Sequence, residues 1–146
     1  MIKNYPHYYT KTQFSVGQSQ AITAKISLDD IARFSELSGD FAALHSDDKF
    51  ARRAGFEGVI VHGAFLSALV SRLVGMTFPG PYAILERMDL SFRQPCYAPC
   101  ELRVSGTVKQ VSEAVNSIIL DVVISDSSSR VLATGKTWHR IMELKG

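Results

Sequence analysis

Asp40 and His45 stand five positions apart in the segment SGDFAALHSDD, a spacing that can set a carboxylate and an imidazole around one shared water molecule. Such a pair can do general acid–base work: one group takes a proton from water, and the conjugate acid delivers a proton to carbon. Further along, His62-Gly63 opens a long apolar segment. If that segment is helical, its first backbone N–H groups lack intrahelical partners and can hold a carbonyl oxygen. The positive end of the helix dipole would then stabilise negative charge building up on that oxygen. Taken alone, an Asp and a His at this spacing are more often an accident of loop composition than a catalytic site.

The elements around these residues must therefore position them. Ile22, Ala24 and Ile26 alternate with Thr23 and Lys25, the period of a half-buried strand. A helix is expected next, capped by Ser27, with Asp29 and Asp30 in its first turn, an apolar stripe of Leu28, Ile31, Phe34 and Leu37, and Gly39 at its end. DDKFARRAG reads as a second short helix, capped by Ser46 and closed by Gly55. The apolar helix spans about Gly63 to Met76, is hydrophobic nearly all round and is stopped by Pro79-Gly80, so something must wrap it. Strands follow: Met88, Leu90 and Phe92 alternate, as do Leu102, Val104 and Val108, then Ile118, Leu120, Val122 and Ile124. A last strand runs from about Arg130 to Met142 after the polar SDSSS turn. Early helices and a late run of antiparallel strands make the class α+β, with a curved sheet wrapped around the central helix.

The composition sets bounds on this reading. A chain of 146 residues that is 46% hydrophobic suits one domain with one core, with residues up to about Lys11 as a loose tail. Sixteen Lys and Arg against fourteen Asp and Glu, scattered in sign, argue against a nucleic-acid binder. The N-terminus lacks the apolar run of a signal peptide, so a cytoplasmic location is expected. The twenty-residue stretch Val59 to Phe78 is mostly apolar but contains His62 and Arg72. It reads as a buried helix rather than a membrane span.

The stretch from Gly39 to Ser71, with DLSFRQP from Asp89 to Pro95, resembles the MaoC-like family of (R)-specific enoyl-CoA hydratases and 3-hydroxyacyl dehydratases. The family motif D-x-N-P-x-H aligns with Asp40 to His45, and its I-V-H-G run aligns with Ile60-Val61-His62-Gly63. The resemblance implies a hotdog fold, a homodimer, and the addition or removal of water across the C2–C3 double bond of an acyl-CoA or acyl-carrier-protein thioester. It assigns catalysis to Asp40 and His45, the oxyanion-holding N–H to Gly63 and an orienting role to Ser71. It calls for no cofactor beyond the CoA or phosphopantetheine that the substrate carries. Ala42 and Ala43 replace the motif's Asn and Pro, which should leave the loop less rigid or the acyl pocket wider.

Other residues admit plainer readings. His62 is either a structural residue bonded to backbone at the helix entrance or a substrate contact, and Phe65 is either core or pocket lining. Arg52 and Arg53 form a solvated helix face or, like Arg72, Arg87 and Arg93, meet CoA phosphates or an acidic carrier protein. His45 with Asp47 and Asp48 could be read as metal ligands, but both aspartates suit a helix N-terminus, and no metal is expected. Cys96 and Cys100 are taken as ordinary thiols, and His7 and His139 are assigned no role. The rival readings are a hotdog thioesterase, disfavoured because His62 to Phe78 holds no Asp or Glu, and a binding protein without turnover.

Overall fold

The computed structural model describes residues 13–143, so the tail expected over residues 1–11, with His7, lies outside the described residues. Strand β1 (Ser19–Ile26) leads into helices α1 (Leu28–Ser38), α2 (Ala43–Ser46), α3 (Asp48–Arg53) and α4 (Gly63–Met76). Strands β2 (Ala83–Phe92), β3 (Cys100–Ser112), β4 (Ser117–Asp126) and β5 (Val131–Ile141) complete the chain. The five strands form one antiparallel sheet in the order β1-β3-β4-β5-β2. The sheet curves over α4 without closing, which is the hotdog arrangement implied by the resemblance.

Burial explains why α4 and the sheet need each other. Leu66, Leu69, Val70, Leu73 and Val74 recur on one face of α4 and are buried. They meet a sheet surface built from Val104, Val108, Ile118, Leu120, Val122 and Ile124. Each such side chain contributes roughly 1.5–3 kcal/mol when fully withdrawn from water. Gly106 lets the helix come close, because a Cβ there would lie 3.3 Å from a Leu73 methyl. Gly135 does the same between strands, since its Cβ would lie 1.9 Å from the Asp89 carbonyl oxygen.

Several expectations need correction. Helix α4 is not wrapped all round: Ala64, Ala68, Ser71, Arg72 and Met76 form an exposed stripe, tolerable because most of these side chains are small or polar. On α1 the buried positions are Ile31 and Ser35, while Leu28 and Leu37 are 55% and 86% exposed. Helix α3 is capped by Asp47, whose carboxylate accepts from the Phe50 N–H, and Ser46 instead ends α2. The other cap signals hold. Ser27 and Asp30 form a reciprocal capping box, and Gly39 ends α1 at φ 77°.

His139 lies on the covered face of β5, 1% exposed, with Nε2 2.7 Å from the Thr137 hydroxyl and Nδ1 unpartnered. Burial pushes its pKa down from 6.5 to about 4. Between those values the unfolded chain binds a proton that the folded chain does not, so this residue's contribution to stability falls as pH drops through the window. Denaturant unfolding from pH 7 down to pH 4 should lose about 3 kcal/mol on this account. His139→Gln should flatten that slope, and an unaltered slope would assign the acid sensitivity elsewhere.

Candidate active site

The candidate acid–base pair comes from a turn that the chain holds tightly. Asp40 follows the α1 cap, and its Oδ1 accepts the Ala42 N–H at 3.1 Å in a side-chain-closed turn. His45 sits on α2, and its Nδ1 is 2.7 Å from the Ile60 carbonyl oxygen. A carbonyl only accepts, so Nδ1 carries a proton, and in the neutral ring the lone pair is on Nε2. The Ile60 N–H in turn donates to the Leu44 carbonyl at 3.0 Å, locking α2 to the strand-like segment ahead of α4.

His62 lies behind this pair. It is 1% exposed, its Nε2 donates to the Asp40 carbonyl at 3.1 Å and lies 3.2 Å from the Ser35 hydroxyl, and its ring stacks on His45 with centroids 3.8 Å apart. One polar atom from each of Asp40, His45 and His62 falls within a single 4.8 Å group. Such a trio invites a metal reading, but two near-parallel stacked imidazoles point their in-plane lone pairs along separate planes, a poor arrangement for a shared ion. Asp47 and Asp48, weighed as ligands from the sequence, instead cap α3 and pair with Arg52.

The helix mouth faces the same place. The Phe65 and Leu66 N–H groups both use the His62 carbonyl, so the Gly63 and Ala64 N–H groups ahead of them have no intrahelical acceptor. Gly63 and His45 line one cavity of about 350 Å³, with Phe56, Leu66, Phe92 and Cys96 among its walls. A Cβ on Gly63 would come within 2.9 Å of the Phe92 ring, so the missing side chain is what leaves room there. His45 also borders a second cavity of about 310 Å³, between α1 and Phe41.

The other sequence candidates scatter. Ser71 is exposed two turns along α4 and makes no hydrogen bond to Asp40 or His45, so within one chain it does not orient the pair. His62 and Phe65, like Asp40, line neither of these cavities; Phe65 stacks on Phe34 at 5.0 Å, and His62 packs against His45. Arg52 pairs with Asp48, Arg53 is exposed on α3, and Arg87 lies 4.4 Å over the Trp138 ring. Of the arginines singled out, only Arg93 reaches the cavity that holds Gly63, with its Nε donating to Thr134. Sequence reasoning missed Ser35, the Ile60 carbonyl and the seat of Phe92 against Gly63. Ile60 acts through backbone, which carries no residue-type signal, whereas Phe92 was visible but read as strand interior.

An antiparallel sheet folded over one helix, with a carboxylate and an imidazole near that helix's N-terminus, defines a hotdog domain with a candidate acid–base site. Residues 11–128 match the family model described as MaoC like domain, and the chain belongs to that family. It is 32% identical over 121 residues to an (R)-specific enoyl-CoA hydratase of Aeromonas caviae, covering 83% of this chain and 90% of that protein. It is 34% identical over 102 residues to a mitochondrial 3-hydroxyacyl-[acyl-carrier-protein] dehydratase of Arabidopsis thaliana, covering 70% of this chain but only 60% of the plant protein. The solved structure of an (R)-hydratase from A. caviae superposes with a TM-score of 0.84 at 30% identity, covering 89% of this chain and 98% of that one.

The family-motif departure has a local account. Ala42 has φ −52° and ψ 137°, the backbone favoured before proline, and Ala43 is the first residue of α2, where proline is accepted. The loop thus has the shape that the absent proline would impose, rather than a visibly wider one. Ala43→Pro should therefore stabilise the fold by about 0.4–1 kcal/mol by restricting the unfolded chain. The urea midpoint should rise with the m-value unchanged, and a lower midpoint would show that the turn needs a freer residue.

Proposed function

We propose that this chain is an (R)-specific enoyl-thioester hydratase and 3-hydroxyacyl-thioester dehydratase. The observation that carries the reading is the closeness of Asp40 to His45 in one group of polar side chains, beside a cavity that His45 shares with Gly63. In hydration, a water held between the Asp40 carboxylate and His45 Nε2 gives up a proton as its oxygen bonds to C3. The π electrons move onto C2 and the thioester oxygen, where the Gly63 N–H and the helix dipole stabilise the enolate. A proton returned to C2 by the conjugate acid completes the addition, and the reverse sequence is dehydration.

The relatives named for enoyl-CoA and for carrier-protein substrates support a thioester of either kind as the ligand. A cavity of about 350 Å³ suits the acyl group and the start of a pantetheine arm. Asp40, His45 and the Gly63 N–H supply the proton transfers and charge stabilisation that the reading needs, so it calls for no cofactor beyond the CoA or phosphopantetheine of the substrate, and for no metal. No helix among the described residues is long and apolar enough to cross a membrane. A reducing cytoplasm fits Cys96 and Cys100 as free thiols.

A homodimer is part of the same reading. Strands β1 and β2 are unpaired edges, Ile84 and Phe92 on β2 are 41% and 52% exposed, and the small-residue stripe of α4 lies open. A second copy can cover such surfaces through one self-complementary interface. Light scattering at micromolar concentration should give twice the 16.1 kDa chain mass, and a monomer alone would overturn the dimer.

Asp40→Asn keeps the side-chain shape without the basic carboxylate, and His45→Gln keeps an amide that cannot relay a proton. Each should slow hydration of crotonyl-CoA, followed by loss of enoyl absorbance, by about a hundredfold or more. Because both act on one water, the double variant should be little slower than either single. Circular dichroism must first match the unsubstituted protein. A folded Asp40→Asn protein with full activity would sink the mechanism, and crotonyl-CoA left unconsumed by the unsubstituted enzyme would favour a binding protein.

A further inference from the structure

Cys96 and Cys100 flank the candidate site in a way that the proposed reaction does not use. Their sulfurs are 3.7 Å apart, and both thiols are free. Cys96 is 3% exposed and forms part of the cavity wall shared with His45 and Gly63. Cys100, half-buried at the start of β3, does not line that cavity. The two are also chemically unequal. The hydrogen bond between the two sulfurs, with burial, raises the pKa of the Cys96 thiol, while the same bond lowers that of Cys100. Cys100 is thus both the more accessible sulfur and the one better able to become a thiolate.

The backbone around Cys96 ties this pair to the catalytic residues. The Cys96 carbonyl accepts the Val61 N–H at 2.8 Å, and Tyr97 bridges Ile60. Ile60 holds His45 through its carbonyl, and Val61 leads directly into His62-Gly63. A displacement at Cys96 therefore reaches both the imidazole and the helix mouth through two short steps.

We propose that Cys96 and Cys100 form a redox-modification site, where a peroxide closes a disulfide that shifts Cys96 and disturbs the catalytic pocket. Cys100 releases its proton, and the thiolate attacks a peroxide oxygen, breaking the O–O bond to give a sulfenic acid and hydroxide, which takes up that released proton and leaves as water. The Cys96 sulfur then attacks the Cys100 sulfur and expels hydroxide, which takes the Cys96 proton and leaves as a second water. Two electrons pass from the thiol pair to one hydrogen peroxide. Closing the bond brings the sulfurs from 3.7 Å to about 2.05 Å. Cys96, held on its other side by Val61, takes up part of that movement at the cavity wall. The effect on turnover rests on the hydratase reading; the disulfide itself does not.

The test treats the full-length protein with hydrogen peroxide, then follows intact mass, peptide maps, thiol titration and crotonyl-CoA turnover. The expected result is loss of the mass of two hydrogens within the peptide holding residues 96–100, with turnover reduced about tenfold to a hundredfold. Dithiothreitol should reverse both. Cys100→Ser should match the unsubstituted protein when reduced and keep its turnover after peroxide. Hydrogen exchange over residues 59–66 should be faster in the disulfide form, which reads the coupling without any substrate and separates its failure from that of the hydratase assignment. Thiols that remain free after peroxide, a disulfide that leaves turnover and exchange unchanged, or an equal loss in Cys100→Ser would each overturn the proposal.

Discussion

The segment Ile60–Val61 is pinned from two sides, and most of the site's geometry follows from that. On one side Ile60 donates to the Leu44 carbonyl and accepts from His45 Nδ1, closing two bonds onto α2. On the other side Val61 donates to the Cys96 carbonyl, and Ile60 pairs with Tyr97. Four-residue α2 would not hold together alone in water, because so short a helix cannot offset its nucleation cost. Its attachment to a segment that leads straight into α4 gives His45 a fixed place relative to the α4 N-terminus.

That N-terminus is fixed in turn by the core. The buried face of α4 runs from Leu66 to Val74 and packs into the sheet, so the helix cannot slide without exposing several aliphatic side chains at once. The stripe from Ala64 to Met76 carries little of this load, which is why it can stay open in a single chain. Packing and availability are thus divided between two faces of one helix. The sheet face supplies rigidity, and the mouth supplies unpaired N–H groups.

The sequence made the central helix legible because its apolar run, Gly63 opening and Pro79-Gly80 stop all point to the same boundaries, which the structure reproduces. The alternating strands were equally plain, since a one-residue slip would expose Ile118, Leu120, Val122 and Ile124 together. The α1 stripe failed for a physical reason: periodicity shows which residues share a face, not how much of that face the rest of the fold covers. Leu37 and Leu28 lie at the margins of the covered patch, whereas polar Ser35 lies at its centre, bonded to His62. Asp40 and His45 were found through spacing and family resemblance, and their closeness is now a matter of geometry. Ser71 matched the same pattern by position, but position along a helix did not reveal that its side chain lies on the open stripe.

Main-chain groups do most of the positioning here. The Ile60 carbonyl selects the His45 tautomer, the Asp40 carbonyl holds His62, the Ala42 N–H steadies the Asp40 carboxylate, and the Gly63 N–H is the proposed oxyanion donor. Backbone groups are the same whatever side chain a residue bears, provided the dihedral angles are kept. Ala42 and Ala43 keep them: the first has the extended conformation and the second begins the helix, as the Asn-Pro pair of the motif would require. What the alanines give up is the amide's own hydrogen bonds and the entropic restraint of the pyrrolidine ring, losses that weigh on stability. The placement of the Asp40 and His45 side chains depends instead on the carbonyls and N–H groups of a loop held between α2 and the Cys96–Tyr97 segment, and those main-chain groups are the same with Ala42 and Ala43 in place of the motif's Asn and Pro.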